Sequence, residues 1–453
     1  MRRSLPVLGQ SRGLRADGKR EIIVPADVSG RLTLRRNLIF ALLLVIYSAL
    51  PWIEINGHPA VFLDLSRRAF YLFGMSFNAQ DTWLSFFLVS GVGFSLIVMT
   101  TLWGRVWCGY ACPQTVFLEG VYRRLERWIE GSKQLRSARE KHGITRAVVL
   151  RKTLKHGAFA LVSLAVAHVF LSYFVSIPAL LSMMQHAPTE HPEAFAWVLV
   201  VAGALHFNYV WFREQLCIVI CPYGRLQSVL TDADTLVIGY DEQRGEPRGK
   251  ANKAGAGDCV DCGRCVAVCP TGIDIRNGLQ LECIGCSACV DACDEIMTRL
   301  ERPTGLIRYD SQNGLTGQIK RVLRPRLYLY MALGLLGLTV ASIALAGREP
   351  FEANLLRAVG APFTLEADGR VRNALELHLV NKAAEPRRFV IAAPANDGLA
   401  YTIALPELEL GPMAERRVPL VVTGVRGKPR KIALTVQSAD VTRRIEAPFA
   451  APR

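Results

Sequence analysis

Several features are missing from this 453-residue chain, and each absence excludes a class of protein or of site. No cysteine follows Cys293, so no disulfide framework can stabilise the rest of the chain. No Cys-x-x-Cys-His sequence occurs, which excludes covalent attachment of a c-type haem at such a motif. No apolar segment precedes residue 37, and no small-residue cleavage site follows the first one. We therefore expect residues 1–36 to be an Arg-rich extension rather than a signal peptide.

Charged residues are missing from five apolar blocks. Lys, Arg, Asp and Glu are absent from residues 38–53, 83–103, 157–177, 195–212 and 327–346. Each block approaches the ~20 residues that a helix needs to cross the hydrocarbon core of a membrane. The sequence therefore predicts a polytopic α-helical membrane protein with about five transmembrane helices.

The distribution of basic residues predicts how these helices are oriented. Lys and Arg are dense in residues 1–36, 104–156 and 213–326, and they are scarce in the short loops at 54–82 and 178–194. The positive-inside rule then places the N-terminal extension and residues 213–326 in the cytoplasm. Five crossings of a bacterial inner membrane leave residues 347–453 in the periplasm. This topology accounts for the net charge of +15, and no motif suggests a nucleic-acid partner.

Eight of the twelve cysteines form two copies of one spacing, C-x2-C-x2-C-x3-C. The first copy is Cys259, Cys262, Cys265 and Cys269, and the second is Cys283, Cys286, Cys289 and Cys293. The pattern is typical of bacterial ferredoxins with two [4Fe-4S] clusters, in which the fourth Cys of each copy ligates the other cluster. We therefore expect one cluster on Cys259, Cys262, Cys265 and Cys293, and its partner on Cys283, Cys286, Cys289 and Cys269. Asp294 stands where a Pro usually follows, and its carboxylate is expected to lower the reduction potential of the adjacent cluster.

Structural zinc and disulfides are the alternatives for these eight cysteines. Zinc sites usually pair two C-x2-C knuckles, and disulfides need an oxidising compartment. The tandem four-Cys copies on the cytoplasmic side favour iron–sulfur clusters over both.

The composition around the two copies predicts the domain organisation. A four-helix membrane region, 37–240, precedes a flexible Gly-rich linker at 241–257 and a ferredoxin module at 258–300. A second linker, 301–326, leads to the fifth transmembrane helix at 327–346. Within the membrane region, residues 123–151 are charged and are expected to form a solvated helical surface.

The remaining four cysteines form two matching C-x3-C-P elements, Cys108 to Cys112 and Cys217 to Cys221, each just after an apolar block. Helical spacing would place both sulfurs of an element on one face. The Pro that follows suits a new helix start, where the helix dipole is expected to lower the pKa of Cys112 and Cys221. If the two elements are neighbours, their thiols could bind copper, cycle through disulfides or hold a further iron–sulfur cluster. Simple packing at the membrane boundary is the alternative.

Five other residues are weaker candidates for metal ligands. His168 and His206 fall within the third and fourth apolar blocks, where an ionisable side chain often has a function. Met183, Met184 and His186 lie in the outer loop, and thioethers with an imidazole suit copper capture. Polar packing between helices and ordinary loop composition are the alternatives.

The tail changes to a period of two. Leu375, Leu377 and Leu379 alternate with polar residues, and short β-branched runs bounded by Gly, Pro and Asn follow. About seven short strands predict an immunoglobulin-like β-sandwich in residues 347–453. It contains no catalytic constellation, so we expect it to dock a partner.

Together, the two C-x3-C-P elements, the double ferredoxin copy between the fourth and fifth apolar blocks, and the cysteine-free β tail resemble the FixG/RdxA/CcoG family of cytochrome c oxidase accessory proteins. The resemblance covers nearly the whole chain. It implies a role in assembling cbb3-type cytochrome c oxidase, in which Cu(II) is reduced to Cu(I) for insertion into the enzyme. It also implies oxidase subunits and a copper chaperone or transporter as partners, whereas the sequence does not identify the cytoplasmic electron donor.

The resemblance assigns the proposed copper and redox role to Cys108, Cys112, Cys217 and Cys221, with the ferredoxin cysteines storing electrons. The main rival is a membrane electron-transfer polyferredoxin that passes electrons between quinol and a periplasmic reductase. A third interpretation is an assembly scaffold or redox sensor.

Overall fold

The structure is a computed structural model that describes residues 22–65, 68–77, 81–141, 145–251, 255–383, 385–394, 397–425, 431–439 and 441–452. The chain divides into two compact units. The first comprises residues 1–50, 87–172 and 177–339, and the second comprises 51–86, 173–176 and 340–453. Most of the predicted N-terminal extension, residues 1–21, lies outside the described residues.

The helices are, in chain order, α1 (Arg31–Ala49), α2 (Thr82–Trp103), α3 (Val106–Tyr110), α4 (Pro113–Phe117), α5 (Arg123–Glu130), α6 (Lys133–Lys141), α7 (Arg146–Leu171), α8 (Ile177–Met184), α9 (Pro192–Phe207), α10 (Pro222–Leu230), α11 (Glu242–Gly245), α12 (Arg264–Ala267), α13 (Ala288–Arg299), α14 (Gln312–Leu315) and α15 (Pro325–Ala346). Short π-helical turns at Leu118–Tyr122, Asn208–Phe212 and Leu216–Ile220 join some of them.

Five helices in the described ranges are long and apolar enough to cross a membrane, which confirms the prediction from the apolar blocks. They are Arg31–Trp52, Trp83–Trp103, Arg146–Leu171, Pro192–Phe212 and Pro325–Ala346. Their apolar side chains remain largely exposed, as expected for surfaces that face lipid.

The predicted boundaries of two of these helices differ from the structure. The first helix begins at Arg31 rather than at residue 38, so it includes the end of the segment predicted as an extension. The third begins at Arg146, well before residue 157, and ends at Leu171 rather than at 177. Charge-free windows locate the part of a helix within the hydrocarbon, whereas the hydrogen-bonded helix continues into the polar interface.

The early start of α1 has a cause far away in the sequence. Gly30 at its N-cap has no side chain to offer, and Asp291 of α13 accepts hydrogen bonds from the backbone N–H groups of Leu32 and Thr33, at 3.3 and 2.6 Å. A Cβ atom on Gly30 would lie 2.3 Å from the Asp291 Cγ atom, so a larger residue would displace the cap. The ferredoxin module therefore caps the first transmembrane helix.

The ferredoxin module extends beyond residues 258–300. Strand β6 (Val237–Tyr240) pairs antiparallel with β7 (Ile307–Asp310), and the two strands bracket the cysteine copies. Arg244 contacts Asp258, and Arg302 donates to the Gly257 and Asp258 carbonyls. The described parts of the predicted linker 241–257 and residues 301–310 of the second linker are thus built into the module, while 252–254 lie outside the described residues.

In the second unit, small hairpins precede α2, and a two-sheet sandwich follows α15. The hairpin strands are β1 (Glu54–Ile55), β2 (His58–Pro59), β3 (Val61–Asp64), β4 (Ala69–Leu72) and β5 (Met75–Phe77). The sandwich strands are β8 (Phe351–Arg357), β9 (Thr364–Leu365), β10 (Val371–Asn381), β11 (Arg387–Ala392), β12 (Leu399–Ile403), β13 (Glu407–Leu410), β14 (Glu415–Gly424), β15 (Lys431–Ser438) and β16 (Val441–Pro448). One sheet has the order β12-β14-β10-β8, with β9 beside β10, and the other has the order β13-β11-β15-β16.

The core of the sandwich follows the predicted alternation. Leu375, Leu377 and Leu379 are buried against residues such as Phe389 and Val436 of the other sheet. The sequence predicted about seven strands, and the described residues form nine; the two-residue β9 is too short to carry an alternating pattern.

Candidate redox site

The ferredoxin cysteines lie in two groups that combine the two sequence copies. The Cys293 thiol interacts electrostatically with those of Cys259, Cys262 and Cys265, although it belongs to the second copy. In the other group, Cys269 lies near Cys283, Cys286 and Cys289. We name the first group the first cluster site and the second group the second cluster site.

The chemistry of both groups suits [4Fe-4S] clusters. Each offers four thiols, the soft ligands that iron–sulfur clusters use. An apolar cavity between the copies is lined by Cys265, Cys269, Cys283, Cys286 and Cys289, together with Ile238, Ile273 and Ile275. Burial raises the pKa of Cys283 and Cys293 to about 12, so these thiols release protons when they bind a metal.

The two cluster sites differ in exposure. Cys262 of the first site is exposed although Cys259 and Cys265 are buried, whereas no cysteine of the second site is exposed. A protein that docks on this module would therefore come closest to the first site.

The two C-x3-C-P elements share one backbone geometry. The N–H of Cys112 donates to the Trp107 carbonyl, and the N–H of Cys221 donates to the Leu216 carbonyl, both at 2.8 Å. Each bond joins residues five apart: in the first element it closes the end of the α-helix α3, and in the second it belongs to the π-helical turn Leu216–Ile220. Pro113 and Pro222 then open α4 and α10, which leaves Cys112 and Cys221 at helix N-caps as the sequence suggested.

The structure brings the four thiols of these elements together, and we name them the four-thiol site. Cys217 interacts electrostatically with Cys112, Cys108 and Cys221, and Cys108 also interacts with Cys112 and Cys221. All four side chains are half-buried. The Cys108 Sγ atom lies 3.5 Å from the Gln227 Oε1 atom of α10, which links the two elements.

The predicted lowering of the Cys112 pKa is wrong. Burial raises the pKa of Cys112, and the backbone N–H groups of Gln114 and Thr115 only partly offset this effect. Burial also raises the pKa of Cys108 to about 11 and that of Cys217 to about 12. Desolvation of a thiolate here outweighs the dipole of the five-residue helix α4.

The four-thiol site and the second cluster site are in direct contact. A Cβ atom on Gly109 would lie 2.8 Å from the Gly285 carbonyl carbon and oxygen, so the two backbones touch where neither residue has a side chain. Cys108 packs into the same apolar cluster as Ile284 and Cys286. The loop of the second cluster site therefore packs directly against the first C-x3-C-P element.

Polar contacts hold this junction. Arg105 donates to the Leu281 and Cys283 carbonyls of the second copy and, at 2.6 Å, to the Gly224 carbonyl of α10. The Tyr110 and Ser287 hydroxyls lie 2.5 Å apart. Arg105 thus joins both C-x3-C-P elements and the ferredoxin loop at one point.

A buried ionic network, which the sequence did not predict, lies beside the four-thiol site. Arg123 contacts Glu119 and, at 3.0 Å, Glu214, while Arg213 contacts Glu126 at 2.6 Å. Residues 123–151 were expected to be solvated, yet Arg123 is 2% and Glu126 5% exposed. The partners Glu214 and Arg213 lie far along the chain, so only tertiary structure reveals the pairing.

The weaker metal candidates are placed less favourably. The His168 Nδ1 atom lies 2.8 Å from the Leu164 carbonyl of its own helix, and the ring near His206 belongs to His156, with centroids 6.0 Å apart. Met183 and Met184 end α8, and the His186 ring lies 6.1 Å from that of His191. His156 could have been found only from the register of α7 against α9.

Within the described residues, no group of three or more His, Cys, Asp or Glu side chains is arranged to hold a single metal ion. A four-iron cluster does not require such convergence, because each thiolate binds a different iron atom. A copper ion at the four-thiol site would therefore be bound by two thiolates. Binding by more of them would require the other thiols to move closer.

Comparison with known proteins identifies the relatives of this chain. Three family models match: a 4Fe-4S binding domain over residues 84–132, a 4Fe-4S dicluster domain over 212–312, and an IG-like fold at the C-terminal of FixG over 341–452. Protein RdxA of Cereibacter sphaeroides is 37% identical over 84% of this chain and 84% of its own length. The chain belongs to the FixG/RdxA family.

Two further relatives agree with this assignment. The nitrogen fixation protein FixG of Rhizobium meliloti is 32% identical over 92% of this chain and 87% of its own length. Protein RdxB of Cereibacter sphaeroides is 34% identical over 85% of this chain and 84% of its own length. This member of the FixG/RdxA family is thus a membrane polyferredoxin with a C-terminal IG-like domain, and its 4Fe-4S domains indicate electron transfer.

Proposed function

We propose that this protein is an assembly factor for cbb3-type cytochrome c oxidase that reduces Cu(II) to Cu(I) at the four-thiol site. The observation that carries the proposal is the contact between Gly109 and Gly285, which joins the second cluster site to the thiols. A ferredoxin module placed directly against four half-buried thiols is suited to deliver single electrons to a bound metal ion.

The residues have distinct roles in this proposal. Cys259, Cys262, Cys265 and Cys293 would hold one [4Fe-4S] cluster, and Cys283, Cys286, Cys289 and Cys269 would hold the other. When bound, the clusters supply storage and exchange of single electrons. Arg105 and the Gly109–Gly285 contact hold the second cluster site against Cys108.

Copper is the substrate of the four-thiol site. We assign Cu(II) binding to the set Cys108, Cys112, Cys217 and Cys221, at least two of whose thiolates bind the ion. The bound ion takes up one electron that originates from a cytoplasmic low-potential donor. Soft thiolates favour the Cu(I) product. The raised pKa values of Cys108 and Cys217 mean that copper binding releases protons, so affinity rises with pH.

The proposed location follows from charge placement. The basic segments 104–156 and 213–326 lie in the cytoplasm at the inner membrane, and the IG-like domain lies in the periplasm, where it docks oxidase subunits. Copper passes from the four-thiol site to a chaperone or transporter. Met183, Met184 and His186 remain low-ranked copper-capture candidates in this scheme.

An anaerobic reduction assay tests the proposal. The full-length protein in detergent is reduced, mixed with Cu(II), and followed with a Cu(I)-specific chelator. Even a partner outside the coordination sphere typically contributes about 10–100-fold to metal affinity, so Cys108→Ser with Cys217→Ser should weaken copper binding by at least about 100-fold. Unchanged Cu(I) formation in the double variant would refute the proposed role of these thiols.

A second candidate function has support of its own. A 4Fe-4S binding domain matches residues 84–132, and the cysteines of that segment are Cys108 and Cys112. This match favours an iron–sulfur electron carrier at the four-thiol site. The protein would then pass electrons between quinol and a periplasmic reductase. Reduction of a quinone analogue but not of copper, together with iron beyond that of two clusters, would establish this alternative.

A further inference from the structure

The charges around the two cluster sites differ in sign. At the second site, the buried Arg36 donates from Nη1 to the Cys286 carbonyl at 3.1 Å. Arg105 donates to the Cys283 carbonyl at 3.4 Å. Both guanidinium groups therefore touch the loop that carries the second copy of cysteines.

The other charges near the second site cancel only in part. Glu119 acts on Cys286, but it is paired with Arg123, which also contacts Glu214 and donates to the Pro270 carbonyl at 3.2 Å. Arg123 offsets one of its two carboxylates, so this group keeps one net negative charge against the two positive charges of Arg36 and Arg105. The positive charges of Arg36 and Arg105 remain uncompensated by any ion pair among the described residues.

Carboxylates surround the first site. Asp294 follows Cys293 directly, and its Oδ1 atom accepts the Gly305 N–H at 2.8 Å. Arg276 is shared between Asp274 and Asp261, at 2.7 and 2.5 Å, so this group carries a net negative charge. Among the cations here, Arg264 donates to the Asp27 carbonyl at the surface, where solvent screens it, and the half-buried Arg302 donates to the Gly257 and Asp258 carbonyls beside Cys259 and offsets part of the negative charge.

Asp291 does not distinguish the two sites. It stands midway in the sequence between Cys289 of the second site and Cys293 of the first. Its carboxylate is also bonded to two N–H groups at the positive end of α1.

We propose that Arg36 and Arg105 give the second cluster the higher reduction potential, so that electrons enter at the first cluster and leave from the second. A nearby cation stabilises an added electron and a carboxylate destabilises it, and buried charges act more strongly than solvated ones. Electrons therefore move towards the Gly285 loop, which contacts Gly109.

Exposure supports the same direction. The exposed Cys262 places one ligand of the first cluster where a donor protein can approach it, whereas no cysteine of the second site is exposed. This inference rests on the electron-relay part of the proposed function, but it does not require copper to be the acceptor.

A potentiometric titration of the full-length protein in detergent, followed by electron paramagnetic resonance, tests the inference. The native protein should show two potentials. Arg36→Gln or Arg105→Gln should lower the higher reduction potential by about 59 mV, which corresponds to a change of about tenfold in the equilibrium constant for one-electron reduction. Asp294→Asn should instead raise the lower one, and Arg36→Lys, which keeps the charge, should retain the native value.

Two results would overturn the inference. The first is that the two clusters of the native protein have equal reduction potentials. The second is that Arg36→Gln and Asp294→Asn shift the potential of the same cluster. Should Arg36→Gln fail to retain its iron, the comparison of Arg105→Gln with Asp294→Asn decides the question alone. A protein that shows the expected potentials but reduces no copper would refute only the copper proposal.

Discussion

Glu126 illustrates how a single buried residue supports the redox site. Burial alone would raise its pKa, but Arg213, with Arg136 and Lys155, lowers the pKa to about 2. The Arg213 backbone carbonyl accepts from the Gln114 side chain at 2.9 Å, two residues after Cys112. The network therefore fixes the distance between the two C-x3-C-P elements.

Glu126→Gln should destabilise the protein in a pH-dependent way. The lowered pKa means that the carboxylate stabilises the fold above the unfolded-state pKa, and that this contribution disappears as the pH falls from about 4.5 to about 2. At neutral pH the loss should be about 3 kcal/mol, because a buried cation loses its partner. Thermal unfolding in detergent at several pH values measures it.

The matched control for this prediction is Asp27→Asn, which breaks the exposed pair with Arg127 on the same helix. Exposed pairs contribute little, so its melting temperature should stay near that of the native protein. Equal losses for Glu126→Gln at pH 7 and below its lowered pKa would contradict the assigned role of the carboxylate.

Gly109 is the residue whose missing side chain permits the junction. Gly109→Ala should destabilise the protein by about 1–3 kcal/mol, because the new methyl group meets backbone atoms that cannot rotate away. It should also slow electron delivery to the four-thiol site. Gly203→Ala, where a Cβ atom meets nothing within 4 Å, is the control and should leave both properties near native.

At the scale of elements, the ferredoxin helix α13 and the membrane helix α1 depend on each other. Asp291→Ala removes the two hydrogen bonds to the first turn of α1 and should cost about 1 kcal/mol. Hydrogen exchange at Leu32 and Thr33 should accelerate. Asp291→Asn keeps a capping oxygen and should protect the turn, whereas equal exchange in both variants would show that the cap is unimportant.

At the scale of the whole molecule, the sequence predicts what local pattern determines. The apolar blocks predicted the five long helices, and alternating Leu375, Leu377 and Leu379 predicted a strand of the sandwich. The cap from Asp291 and the burial of Arg123 were not predictable, because their partners lie 259 and 91 positions away. In the sequence, the neighbours of a buried, paired charged residue such as Arg123 look the same as those of a charged residue on a solvated helix surface.

The candidate site divides in the same way. The sequence predicted the two C-x3-C-P elements, Cys108 with Cys112 and Cys217 with Cys221, and the helix that starts at the Pro after each of them. Their contact with the ferredoxin loop was not, since it depends on two glycines meeting across the fold. The wrong direction for the Cys112 pKa arose because the sequence does not reveal how deeply that thiol is buried.

A single-turnover experiment tests the central claim that the ferredoxin module supplies electrons to the four-thiol site. The full-length protein is reduced anaerobically and mixed rapidly with limiting Cu(II), while cluster absorption and Cu(I) are recorded together. Our account predicts one Cu(I) per electron lost from the clusters, and a strong loss of rate in the Cys108→Ser, Cys217→Ser variant with iron content unchanged. Cluster oxidation at the native rate in that variant would contradict it.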